Sequence, residues 1–158
     1  MSKDYVVAAR ERGFQEVASL LGGQKVLGHQ PSTRLEIHEL LLAGLPVKVL
    51  KYLVEGIEIL RQPVSMEKAL GISIRTFQRH KGASTKHLSL EQSGRVWEFA
   101  EILARATSVL GSRQEAGGWL LRPAMALEQR RPLDMLATSE GRKMVEELLE
   151  RMEYGVYT

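Results

Sequence analysis

The sequence predicts an all-α fold, a helical bundle that contains a helix-turn-helix and a further helical region at its carboxy-terminal end. Apolar residues recur at spacings of three and four along most of the 158 positions, the period of helices with one buried face. Strand signals are almost absent, since the one β-branched run, Tyr5-Val6-Val7, is too short to build a sheet. Helix-start and helix-stop residues fall between the periodic segments. With 44% hydrophobic residues the chain can bury a core of its own. It contains no cysteine, which excludes disulfides, thiolate metal sites and thiol nucleophiles.

A first helix is expected to end at Leu20-Leu21, because Gly22-Gly23 supplies the left-handed cap that helices favour. A second follows Pro31-Ser32-Thr33, with Leu35, Ile37, Leu40, Leu41 and Leu42 as a broad apolar face, and Gly44 ends it. Pro46 suits the first turn of a third helix. There Val47, Val49, Leu50, Leu53, Val54, Ile57 and Leu60 cover so much of the circumference that burial should be nearly complete. From residue 61 the texture shortens, with Pro63, Gly71 and Gly82 as punctuation. Ser89 and Gln92 have the spacing of a capping box. They open a helix of about five turns, striped by Val96, Ala100, Leu103, Thr107 and Leu110, with Phe99, Ile102 and Val109 beside them, and stopped by Gly111. Ser112 and Glu115 repeat the spacing before a shorter helix that carries Trp119, Leu120 and Leu121 and closes at Pro123. Pro132 begins a turn through Leu136, and Thr138 caps a last helix with Met144, Val145, Leu148, Leu149 and Met152 on its buried side.

Charge divides this chain more sharply than composition does. Residues 1–60 carry 7 Lys/Arg against 7 Asp/Glu, residues 61–95 carry 7 against 2, and residues 96–158 carry 8 against 10. The middle is thus +5, beside a neutral segment and one at −2, within a total of +3. Such asymmetry is either a footprint for nucleic acid or a solvated basic face.

Within that middle segment, Ser65 to Lys81 has the layout of a helix-turn-helix. A short helix ends at Leu70, Gly71 gives the permissive turn, Ile72 plugs the gap between helices, and Ser73 caps the second helix. Phe77 is the inward anchor, which leaves Arg75, Thr76 and Arg79 outward, flanked by Gln78, His80 and Lys81. Ser73, Arg75, Thr76, Gln78, Arg79, His80 and Lys81 are therefore the candidate DNA-binding residues. Arginine can bind guanine with two hydrogen bonds, whereas lysine and serine more often hold phosphate. Glu67 stands where the general motif has a small residue. The alternative is a pair of core helices with an exposed basic rim.

The sequence resembles the Xre/MbcA/ParS antitoxin family. Three stretches carry the likeness in order: Leu70 to Arg79, Leu88 to Arg95, and a carboxy-terminal block. That block comprises Trp119 to Leu121, Ala126-Leu127, Arg131 to Leu136, Thr138 to Gly141 and Arg151 to Tyr157. The resemblance is good over about residues 60–158 and weak before that. It implies a homodimer that binds its own operator DNA and neutralises a cognate RES-domain toxin encoded beside it. The toxin would consume NAD, which makes NAD the partner's substrate and leaves this chain with no cofactor. The chain is expected to divide into residues 1–60, a helical region for dimerisation and core, residues 61–110, the DNA-binding region with the long helix, and residues 111–158, the toxin-binding region.

The chain ends Arg151-Met152-Glu153-Tyr154-Gly155-Val156-Tyr157-Thr158. Tyrosine and arginine are favoured at binding hot spots. The expected toxin-binding residues are Trp119, Pro132, Leu133, Arg151, Glu153, Tyr154, Gly155, Val156 and Tyr157. Alternatively Tyr154 and Val156 fold back on the domain, with Gly155 as an ordinary cap. A stand-alone transcriptional regulator, its tail serving dimerisation only, is the competing function.

No enzyme pattern emerges. His29, His38, His80 and His87 lack metal-ligand spacing. Glu146, Glu147, Glu150 and Glu153 crowd one helix with Lys143 and Arg151 in reach, and Glu147 to Arg151 has the favoured i, i+4 orientation of a solvated pair. Gly22-Gly23 and Gly117-Gly118 follow no strand and are not phosphate cradles. Trp97, Phe99 and Phe77 read as core. The start has no apolar leader and no segment is long enough to span a membrane, so a cytoplasmic protein is expected.

Overall fold

The computed structural model describes residues 3–82 and 86–155, the side chains of 4–12 aside. Its helices are α1 (Lys3–Leu20), α2 (Gly23–Leu27), α3 (Arg34–Ala43), α4 (Lys48–Gly56), α5 (Pro63–Leu70), α6 (Ile74–Gly82), α7 (Leu90–Leu110), α8 (Arg113–Leu120) and α9 (Ser139–Glu153). Short 3-10 turns cover Glu58–Arg61, Met125–Leu127 and Pro132–Met135. Among the described residues β-pairing is limited to two isolated antiparallel bridges, Pro46 with His87 and Ala124 with Arg130. The protein is all-α, and the Tyr5-Val6-Val7 run lies within α1.

Helix ends follow local chemistry closely. Ser89 accepts from the Gln92 amide while the Gln92 side chain accepts from the Ser89 amide, the capping box expected at the start of α7. Thr33 and Glu36, at the same spacing, form a second such box at α3. Ser112 and Thr138 cap α8 and α9 through the amides of Glu115 and Gly141. The unforeseen α2 exists because Gly22 and Gly28, both in the left-handed region, bracket a single turn.

The long helix α7 is the axle, packing on α1, α3, α5, α8 and α9. Partners on several sides bury more than the expected stripe: Trp97, Ala104 and Ala106 join Val96, Phe99, Ala100, Ile102 and Leu103 in the core. Its alanines let neighbouring backbones come close. By contrast α4 is not wrapped. It buries Val49, Leu50 and Leu53 but exposes Lys48, Lys51, Tyr52 and Glu55. Ile57 is extended and Leu60 belongs to the next turn, so neither lies on that helix.

Leu35, Leu42 and Met144 also face outward, against expectation. Each sits at the margin of an apolar arc that its helix has no further neighbour to cover. Glu147 and Arg151 are not paired. Instead Lys143 reaches Glu140 and Glu153 crosses to Arg105 at 3.3 Å. Arg142 fastens α9 to α7, meeting Glu98 at 2.8 Å and donating to the Leu136 carbonyl at 3.1 Å.

Candidate functional site

The basic segment folds as two short helices, α5 and α6, joined by three residues. Gly71 adopts φ 67° at the end of α5, and its amide donates to the Glu67 carbonyl at 2.8 Å. Ile72 is buried and Ser73 accepts from the Thr76 amide at 3.1 Å, the plug and cap that the sequence assigned. Phe77 is buried while Ile74, beside it, stays 39% exposed. Glu67 is exposed and so meets no size limit, whereas Ser65 and Ala69 are the small buried residues of α5.

Arg95 on α7 braces this turn. Its guanidinium donates to the Lys68 carbonyl at 3.0 Å and approaches that of Ala69 at 3.4 Å. A cation is thereby placed on the last carbonyls of α5, where the helix dipole is negative. Burial lowers the Arg95 pKa, opposed by nearby Glu98 and Glu91. A Cβ at Gly71 would lie 2.8 Å from Arg95 Nη1, so glycine serves both the positive φ and this close approach.

The seven expected DNA-binding residues fall into three groups. Arg75, Gln78 and Arg79 are exposed, two residues or one from Phe77, and Arg75 and Arg79 point away from the core. Ser73 and Thr76 are half-buried and engaged with each other at 3.0 Å. His80 is half-buried, and Lys81 lies with its ammonium 4.9 Å from the centre of the Phe77 ring. Both line a cavity on the inner flank of α6, not the outward face with the arginines, because they follow Phe77 by three and four residues.

In the carboxy-terminal block the expected contact residues separate as well. Leu133 is fully buried, and Pro132 and Trp119 are buried too. Pro132 and Leu133 are core rather than surface, because the turn Pro132–Met135 packs on α5, α8 and α9, whereas Trp119 of α8 keeps little exposed area but borders a surface groove. Arg151, Glu153, Tyr154 and Gly155 are exposed, Tyr154 at 75%. Tyr154 therefore does not fold back. Val156 and Tyr157 lie outside the described residues.

The sequence reading missed the loop between α8 and α9. The Ala124 amide donates to the Arg130 carbonyl at 3.0 Å, and the Ala124 carbonyl accepts from Gln129 at 2.9 Å. Closing so tight a loop puts Glu128 and Gln129 at φ 53° and 65°, each costing about 1–2 kcal/mol for an L-residue. The loop buries Leu127 and thrusts out Met125, 74% exposed. Met125 stands at a groove of about 290 Å³ bordered by Trp119, Pro123, Leu148 and Met152. No signal in the sequence separates this methionine from a core residue.

One ion cluster joins the two regions. Asp134 accepts two bonds from Arg131, at 2.8 and 2.9 Å, and one from Lys68 of α5 at 2.5 Å. The Arg131 hydrogen bonds, aided by Lys68, hold the Asp134 carboxyl down at about 2.

Comparison with known proteins places this second region. Residues 105–155 match the family described as the antitoxin Xre/MbcA/ParS C-terminal toxin-binding domain, a span from the end of α7 through α9. A protein of Photorhabdus laumondii named antitoxin Xre is 25% identical over 133 residues, which is 84% of this chain and 88% of that one. A protein of the same name from Pseudomonas putida is 34% identical over 68 residues, 43% of each chain.

Proposed function

Since the chain is an antitoxin of the Xre/MbcA/ParS type with a carboxy-terminal toxin-binding domain, we propose that it silences a RES-domain, NAD-degrading toxin by obstructing its active-site cleft. We further propose that it binds its own operator as a homodimer. The observation that carries the first part is the exposed apolar surface within the matched span. Met125 stands out beside the Trp119 groove, and Leu121 and Tyr154 are exposed elsewhere in the same span, an arrangement that favours a protein partner. Methionine repacks readily against another surface. Arg151, Glu153 and Gly155, with Val156 and Tyr157 of the tail, complete the contact. NAD is the toxin's substrate in this scheme, and this chain contributes no catalytic group.

The DNA reading rests on Arg75, Gln78 and Arg79, solvated on the outward face of α6. One short helix makes few base contacts, so two-fold pairing over a palindromic site is needed for useful affinity.

Both parts can be tested in cells and in solution. The gene beside this one should encode a RES-domain toxin. Co-expression of that toxin with Met125→Glu, or with a chain ended after Glu150, should fail to restore growth; full rescue by both would defeat the proposed contact. Replacing Arg75 or Arg79 by alanine should weaken operator retention by about 1–3 kcal/mol each, and unchanged retention would remove α6 as the reader.

A further inference from the structure

Behind the arginines of α6 lies a cavity of about 760 Å³, between the start of α4 and the end of α6. Its floor includes Leu50 and Phe77, and its rim carries Lys48, Lys51, Lys81 and Lys86. Among the described residues no acidic side chain lines it. Lys51 has Glu55 at 3.9 Å, whereas among the described residues Lys48, Lys81 and Lys86 form no ion pair. Gathering ammonium groups without a counter-charge is repulsive, and an anion in their midst reverses the sign.

The cluster is built rather than fortuitous. The Val47 amide donates to the Lys86 carbonyl at 3.0 Å and the Leu88 amide to the Leu45 carbonyl at 2.8 Å, which ties Lys86 beside the first turn of α4. Gly44, at φ 88°, permits the approach, since a Cβ there would lie 2.5 Å from the Leu88 carbonyl oxygen. The buried Ser93 hydroxyl accepts from the Leu45 amide at 2.9 Å and locks the same segment to α7. α4 itself starts with no side-chain cap and no acid in its first turn, so the positive end of its dipole adds to the lysines. His80 forms part of the cavity wall, and among the described residues its Nε2 has no hydrogen-bond partner. An anion held by the lysines changes the electric field at this neighbouring ring, which makes His80 a reporter of occupancy.

We propose that this basin is a phosphate-binding site, separate from the outward face of α6. The phosphate group belongs either to a nucleic-acid backbone passing the flank of α6 or to a free phosphate-bearing ligand. The site needs no sequence readout and does not depend on the operator reading. The test compares the full chain with Lys48→Gln/Lys86→Gln, both lysines being exposed and free of packing roles. Two probes are used: inorganic pyrophosphate, followed by the histidine ring resonances, and operator and unrelated duplexes, followed over a salt series.

For a free ligand, pyrophosphate shifts His80 and binds the double variant about tenfold more weakly or worse. For a backbone phosphate, the variant weakens both duplexes by the same factor and flattens the log-affinity against log-salt slope by about 1.8, or 0.9 per lost contact. Sequence preference, set by Arg75 and Arg79, is then unchanged. If wild type binds no duplex, the operator reading fails and the pyrophosphate arm alone decides. The proposal is overturned if pyrophosphate leaves His80 unmoved and the variant, folded as wild type by its melting curve, matches wild type on both duplexes.

Discussion

The two ends of α7 support surfaces of opposite character. At its start, Arg95 braces α5 and α6, which present arginine, glutamine and lysine to water. Near its end, α8, α9 and the loop between them expose Met125, Leu121 and Tyr154. A charged surface is recognisable by composition because cores exclude charge. An apolar surface is made of the same residue types as the core behind it, and only burial tells them apart.

The sharpest way to test that division is at the carboxy-terminal end. Leu133→Ala should cost about 2–5 kcal/mol of stability, as deletion of a fully buried leucine does, whereas Met125→Glu should leave the denaturation midpoint in place and lose only toxin neutralisation. Were Leu133→Ala to keep wild-type stability while losing neutralisation, the leucine would be a contact residue after all.

Arg95→Ala probes the other end. It leaves the last carbonyls of α5 without their cation and should destabilise the protein by about 2 kcal/mol. Operator binding should weaken while growth rescue persists; equal loss of both would show that the two surfaces are not separable.

The smallest effect concerns the link between them. Asp134 has its pKa depressed to about 2 from 3.8, so its contribution is present above pH 3.8 and disappears as pH falls through about 2. The cluster is partly solvated, which limits the pair to about 1 kcal/mol. Urea midpoints of wild type and Asp134→Asn should differ near pH 6 and converge near pH 2. A gap that persists at pH 2 would mean that packing, not charge, joins Lys68 to the Pro132 turn.

Much of the site was legible where its cause is local. Gly71, Ile72, Ser73 and Phe77 have their roles dictated by a turn, a plug, a cap and a helical period, all set within a few residues. The same rules misplaced His80 and Lys81, because α4 and the segment around Lys86 approach α6 from distant positions and turn its inner flank into a cavity wall. Pro132 and Leu133 were read as contacts from residue type, and packing made them core, while Trp119 is buried in area and still borders a groove.

By itself, then, the order of residues determined helix against strand, the capped starts of α7, α8 and α9, the basic middle and the likeness to a toxin-binding family. These depend on backbone propensity, spacing and composition, which act along the chain. Tertiary structure alone decided which apolar groups remain outside, how Arg95 supports α5, and that lysines from α4, α6 and the strand-like segment before α7 share one basin. Those outcomes depend on which elements meet in space, and no short-range pattern encodes that meeting.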